Sequence, residues 1–310
     1  MADEPFHTGE LAVQERTGER EIARRLGRAI SPRIVSGAMA FLAEQRVLAV
    51  SAPGDDGHLW VSAWFGESGF VHSPDGERVR ILTSSMAVSP DDPVLVRLAP
   101  GRDLGMLAID LTSRRRLRVN GSIEAMASDL IQIQVRESVP NCPKYIQRRA
   151  WLTSDPPVPI ERPNASGRVI DEERRALVER ADTAFVGSIH PTRGADASHR
   201  GGAPGFIRVV DETTLRVPDY PGNSMFMTLG NFEIDPRASL AIVDFERGRL
   251  VSLSGSARLR FDRDDPAHAT GGTGRYWDLA VREWADVELP AAARWRLIEP
   301  SPFNPNARHK

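Results

Sequence analysis

The chain has 310 residues, 41% of them hydrophobic and 26% charged, with a formal net charge of −2. This length suits about two domains of roughly 150 residues, and the near-neutral balance gives no electrostatic reason to expect nucleic acid or an anionic membrane as partner. One cysteine, Cys142, excludes an internal disulfide, no apolar run is long enough for a membrane helix, and Met1–Pro5 opens no signal peptide, so a cytoplasmic protein is expected.

In chain order, residues 9–31 are rich in Glu, Arg, Ala, Leu and Ile and read as an amphipathic helix with Ile22, Leu26 and Ile30 on one face. Ser36 is placed to cap a second short helix through Ala38, Phe41 and Leu42. The pattern then turns to β. Arg46–Ser51 stops at the turn cluster Pro53-Gly54-Asp55-Asp56-Gly57, and His58–Phe65 closes a hairpin. Phe70–Ser73, Val79–Thr83, Val94–Leu98, Leu104–Leu111 and Leu117–Ile123 continue at sandwich or barrel spacing. The run Arg114, Arg115, Arg116 and Arg118 reads as a solvated hairpin tip rather than a polyanion site.

Met126–Val135 alternates apolar and polar residues, and Asn141 before Pro143 predicts a helix through Tyr145, Ile146 and Arg149. Pro156, Pro157, Pro159 and Pro163 mark a linker. Residues 170–183 predict a helix equivalent to the one before the first strand. After it come Thr183–Ile189, a loop Thr192–Ala203, and strands Phe206–Val210, Thr214–Val217, Ser239–Phe245 and Leu250–Leu259. A helix around Trp277–Trp284 and a tail through Arg294 and Arg296 to Pro305 follow. The expected units are an N-terminal helical segment 1–35, a first domain 36–155 and a second domain 156–310.

The two halves repeat each other. Ser62, Gly66, Gly69, Phe70, Asp75 and Arg80 land, 136 residues on, at Ser198, Gly202, Gly205, Phe206, Asp211 and Arg216. Further along the offset is 134, and Asp110, Arg115, Gly121 and Ser122 land on Asp244, Arg249, Gly255 and Ser256. A period this long is a duplicated domain rather than a solenoid unit. Two like halves can pair around a pseudo-two-fold, with a cleft between them.

The copies differ in two places. Trp60, Ala63 and Trp64 of the first half are replaced by Asp196, His199 and Arg200 around the shared Ser62 and Ser198. Arg200 suits a phosphate by forked donation, while His199 is read either as a ligand contact or as an exposed residue. The bland Thr83–Ser89 faces Pro218–Asn231 in the second half, whose glycines, asparagines and hydroxyls suit an anion nest. The plainer reading is a tight turn with Asn223 capping a short helix. Cys142 beside Lys144 is a low-pKa thiol or a buried structural cysteine, and Trp277, Trp284 and Trp295 read as tail packing. No metal-ligand spacing, Walker loop, nucleophile elbow or dinucleotide fingerprint is present.

Three stretches, Asn141–Gln147, Gly194–Gly202 and Asp219–Asn231, together with Asp235–Leu240, resemble the pyridoxamine 5'-phosphate oxidase-related, flavin mononucleotide (FMN)-binding split-barrel family, in a longer duplicated branch. The resemblance spans nearly the whole chain. It implies a mainly β (α+β) fold with flanking helices, two tandem split β-barrels forming an intramolecular pseudo-dimer. By the same resemblance Ser198, His199 and Arg200 lie along the flavin, the turn at Gly222 and Asn223 approaches its phosphate or ribityl chain, and Tyr220 and Ser224 are further cofactor-binding residues. Met225 and Thr228 begin the following helix, with Lys144 and Arg148 as further phosphate partners. Where the oxidases grip the phosphate with a Ser and a Lys, this chain has Phe226 and Thr228, so the grip must come from elsewhere.

The function so implied is an FMN-dependent oxidoreductase acting on a small molecule, but not a vitamin B6 oxidase. The alternative is a non-catalytic flavin- or haem-binding carrier, sensor or interaction module. The protein is expected to be a monomer, with the interface supplied internally, or a homodimer.

Overall fold

The computed structural model describes residues 4–152, 164–222, 224–289 and 295–305. The proline-rich linker prediction at Pro156–Pro163, and the positions Asn223 and Arg294, lie outside them. The first half contains helices α1 (Thr8–Thr17), α2 (Arg20–Leu26) and α3 (Ser36–Ala43) and strands β1 (Val47–Pro53), β2 (Leu59–Gly66), β3 (Val71–His72) and β4 (Arg78–Leu82). It continues through β5 (Met86–Ala87), β6 (Asp103–Asp110), β7 (Arg115–Met126), β8 (Leu130–Asn141) and β9 (Arg148–Trp151). The second half contains β10 (Ala165–Gly167), α4 (Glu172–Arg180), β11 (Thr183–His190), β12 (Gly194–Gly201), β13 (Arg208–Asp211) and β14 (Thr214–Pro218). Then come α5 (Met227–Ile234), β15 (Arg237–Asp244), β16 (Arg249–Arg260), β17 (Tyr276–Glu288) and β18 (Trp295–Glu299).

The fold is mainly β with flanking helices. One sheet runs β3-β4-β8-β7-β6-β1-β2 with β5 at its edge, and the other, read from its far side, runs β13-β14-β17-β16-β15-β11-β12. The order is the same, and so is the register. Val47 faces Phe65 in the first hairpin and Thr183 faces Gly201 in its counterpart, both shifted by 136. Asp103 faces Ser122 where Arg237 faces Ser256, both shifted by 134, and a register shift follows Asn120 and Ser254 alike. Each sheet wraps its own core as a split barrel. Trp60, Trp64, Phe70, Ile81, Met106 and Ile133 fill the first; Ile207, Leu215, Val217, Leu240, Leu253 and Trp277 fill the second.

A third apolar cluster joins the halves, including Val47, Ala49, Val61 and Leu107 from one and Phe185, Ala197, Ala241 and Leu250 from the other. β2 lies against β15 and β16, and β12 lies reciprocally against β6 and β7. This explains why β1 reads as an unbroken apolar run. Leu48 and Val50 face the barrel core, while Val47 and Ala49 face the other half.

Several expectations need correction. The helix expected over 9–31 is broken, because Gly18 takes φ 71 and closes α1, and Ile22 and Leu26 are 46% and 41% exposed. Val35, not Ser36, occupies the cap position of α3. Val94–Leu98 is a 3₁₀ turn rather than a strand, its Val94 and Leu95 N–H groups bound by the Asp92 carboxylate. No helix follows Asn141: its amide donates to Val139, Tyr145 takes a left-handed φ of 69, and Arg148–Trp151 is a strand. Thr192–Ala203 is mostly strand β12, whose polar residues hid a pairing along the full length of β11. Trp277–Trp284 lies within strand β17, with Trp277, Leu279 and Val281 buried on one face. Among the described residues no helix is long and apolar enough to cross a membrane.

Candidate functional site

A narrow cleft of about 600 Å³ opens where β12 and the Pro218–Gly222 turn meet β7 and the Asn141–Tyr145 loop. Its walls bring together the expected Lys144, Ser198, His199, Arg200, Tyr220, Gly222 and Thr228. Residues from the first half that the sequence reading did not assign to a site also line it, above all Arg116 and Arg118. The tip reading of that arginine run fails for these two. Arg115 is exposed over Phe41, but alternation along β7 turns Arg116 and Arg118 inward, and Arg118 is 2% exposed. The signal was available as the i, i+2 spacing of two arginines within a strand.

Other expected residues stand elsewhere. Arg148 pairs with Glu299 at 3.3 Å and does not line the cleft. Ser224 donates to Glu19 at 2.8 Å, and Met225 is buried with Phe6, Ala23, Val139 and Met227. The cap position of α5 is held by Phe226 at φ 57, and the expected cap Asn223 lies outside the described residues. Cys142 is half-buried in the cleft wall rather than sunk in a core.

The polar geometry explains what each group can offer. The buried carboxylate of Asp219 accepts from Arg200 at 2.8 Å and from Arg275 at 2.9 Å, and Arg275 reaches Glu19 at 3.0 Å. Arg200 is therefore partly committed, although its Nε is buried without a partner. Arg118 faces Asp196 at 3.1 Å, and both are buried. Arg116 donates to the Cys142 carbonyl at 2.8 Å and, together with Lys144, has no carboxylate partner among the described residues. Burial and the neighbouring Arg118 push the Arg116 guanidinium down to about 10. Four basic side chains line the cleft, and no carboxylate does.

His199 is buried, and Arg116 Nη1 lies 3.2 Å from its Nδ1. A guanidinium has only donors, so Nδ1 accepts and the neutral ring carries its proton on Nε2, which has no partner. Burial first, and then the charges of Arg116, Arg200 and Arg149, hold His199 well below the usual histidine range. The ring is thus a neutral N–H donor. Tyr145 and Tyr220 lie tilted with centroids 4.9 Å apart, and Tyr145 donates to Pro221 at 2.6 Å, joining the two halves across the cleft. Gly222 takes φ 132, a conformation open to glycine, and a Cβ there would sit 3.3 Å from Lys144 Nζ.

A phosphate-bearing planar cofactor fits these walls. Arg116 and Lys144, which have no carboxylate partner among the described residues, suit the phosphate, and the unpaired His199 N–H suits a ring acceptor. Among the described residues no cluster of His, Cys, Asp or Glu could hold a metal.

No protein-family model matches the chain, and no curated protein sequence matches it. Solved structures similar to parts of it share the split-barrel fold. A putative pyridoxamine 5'-phosphate oxidase from Lactobacillus delbrueckii is 15% identical, covering 38% of this chain and 94% of its own at a TM-score of 0.30. The FAD binding protein of Mycobacterium smegmatis is 11% identical, covering 39% and 98% at 0.28. HutZ, the haem storage protein of Vibrio cholerae, is 10% identical, covering 39% and 94% at 0.28.

Proposed function

We propose that this cleft binds one FMN per chain, and that the two halves arose by tandem duplication with only one binding position retained. The observation that carries the reading is a wall with four basic side chains and no carboxylate, in a chain of net charge −2. Arg116 and Lys144 would hold the phosphate, and His199 Nε2 would donate to an acceptor on the ring. The matched position in the first half is filled by Trp60 and Trp64.

His199 also argues against the haem reading. A ring whose Nδ1 faces a guanidinium keeps its proton on Nε2 and cannot offer that lone pair to iron. A bound flavin supplies hydride or electron transfer, so the activity proposed is that of an oxidoreductase on a small molecule. The walls add no acid–base pair poised at neutral pH, because His199 stays neutral and burial pushes the Tyr145 phenol up to about 12. With its interface internal, the chain is expected to sediment as a monomer.

Purified protein should show the two visible bands of flavin, or acquire them when titrated with FMN. Colourless protein that does not take up FMN sinks the reading, and a Soret band would replace it with haem.

A further inference from the structure

The two halves differ once more, beside the cleft. In the first half β7 turns into β8 through the three residues 127–129. In the second, β16 reaches β17 through fifteen, 261–275, and the pairing offset grows accordingly: Arg78 faces Gln134, whereas Thr214 faces Ala280. This loop is tied down. Asp265 accepts from the backbone of Thr270 and Gly272, each at 3.0 Å, Thr273 Oγ1 donates to the Asp219 carbonyl at 2.6 Å, and Arg275 reaches the Asp219 carboxylate.

Its Ala267 and Ala269 form one wall of a second cleft, with Arg208, Arg216, Tyr276 and Pro305. Phe206 and Tyr220 line both clefts. Phe206 packs on Gly202, where a Cβ would meet the Phe206 ring at 2.6 Å and Tyr220 Oη at 2.9 Å. The equivalent Phe70 lies fully buried on Gly66, while Phe206 keeps a partly exposed ring. Arg216 is engaged by Asp278 at 2.7 Å, but Arg208 is exposed and has no ion-pair partner among the described residues. No carboxylate lines this cleft, and the nearby Asp265 spends Oδ2 on its own loop.

We propose that this second cleft binds a small organic oxyanion with a flat ring, the oxyanion at Arg208 and the ring among Tyr220, Tyr276 and Phe206. The binding stands on these residues alone. Its place beside a bound flavin, across the Phe206–Tyr220 wall, rests on the FMN reading above.

Calorimetric titration of the FMN-loaded protein with AMP and with benzoate tests the site and separates a phosphate from a carboxylate source. At least one probe should bind one to one, and Arg208→Ala, at an exposed position, should weaken it at least fivefold without changing the FMN dissociation constant. Binding of neither probe, or equal affinity in Arg208→Ala, overturns the proposal. If the protein takes up no FMN, the same titration is run with Arg116→Ala beside Arg208→Ala. Loss confined to Arg208→Ala then upholds the second cleft while the flavin reading falls, and equal loss in both overturns the second cleft as well.

Discussion

At β2, Trp60, Ser62 and Trp64 face the first barrel core; at the matched positions of β12 stand Asp196, Ser198 and Arg200. The serine is common to both and meets the residue 30 places further on: Asp92 in the first half and its counterpart Thr228 in the second. Asp92 also accepts from Trp64 Nε1 at 3.1 Å and from the backbone of Val94 and Leu95, so this end of the first barrel is closed by a satisfied carboxylate under two tryptophans. Thr228 gives Ser198 a neutral partner at 3.0 Å, and the cleft beside it is lined by Arg116 and Lys144, which have no carboxylate partner among the described residues. One backbone thus serves as a sealed wall or as a cleft according to three side chains. Burial of indole stabilises the first, and two cations without carboxylate partners, Arg116 and Lys144, prepare the second for an anion.

The largest expected effect lies on the sealed side. Asp92→Ala strands four donors, three of them buried, and should cost about 3 kcal/mol or more, whereas Thr228→Ala removes one hydroxyl contact at a cleft and should cost about 1 kcal/mol. Urea denaturation of both variants measures the difference. Equal costs would mean that the two ends are built alike and the contrast is wrong.

A second test concerns the ligand. FMN should titrate to one equivalent per chain. Arg116→Ala should lose about 1.5–3 kcal/mol of affinity, the value of a hydrogen bond from a charged group. Leu250, the counterpart of Arg116 in the second half, can be cut to Ala without changing FMN affinity. Arg200→Ala should have a smaller effect than Arg116→Ala, about 1 kcal/mol or less, because Asp219 already holds Arg200. Two equivalents of FMN, or an effect of Leu250→Ala matching that of Arg116→Ala, would break the one-site asymmetry.

The repeat was legible because strand register preserves spacing. Offsets of 136 and 134 in the sequence are the offsets in the ladders. The polar substitutions at 196, 199 and 200 were legible because a buried strand position has no other reason to lose its tryptophans. Arg116 and Arg118 were missed, since a run of arginines near a turn reads as solvated until the strand alternation is followed through it. β12 and β17 were misread for a related reason: charged residues interrupt the apolar pattern on faces that meet the cleft or a salt bridge, such as Asp278 with Arg216 and Arg260. Arg148 could not be excluded from sequence, because its distance from the cleft follows from the pairing of β9 with β18.

The smallest expected effect concerns α1, which packs on α5 of the second half through Val13, Phe226 and Leu229. In the first half a 3₁₀ turn after Asp92 stands where the second has this helix. Glu10 of α1 is buried beside Glu137 and Asp196, and burial foremost pushes its carboxyl up to about 8. A folded pKa above the unfolded one favours the protonated folded state. Its contribution is therefore complete below about 4.5 and is lost as pH rises through about 8. His7 runs the other way: burial holds it down to about 4, so its neutral folded form loses stability as pH falls below 6.5. Between pH 6.5 and 8.5 the Glu10 effect stands clear of His7. The unfolding free energy from urea titrations should fall across that window by an amount on the order of 1 kcal/mol, moderated because α1 can undock locally to hydrate the charge. Glu10→Gln, which keeps the shape without the titration, should flatten the profile. An unchanged slope in Glu10→Gln would assign the pH dependence to other groups and remove α1 from the features that set the second half apart.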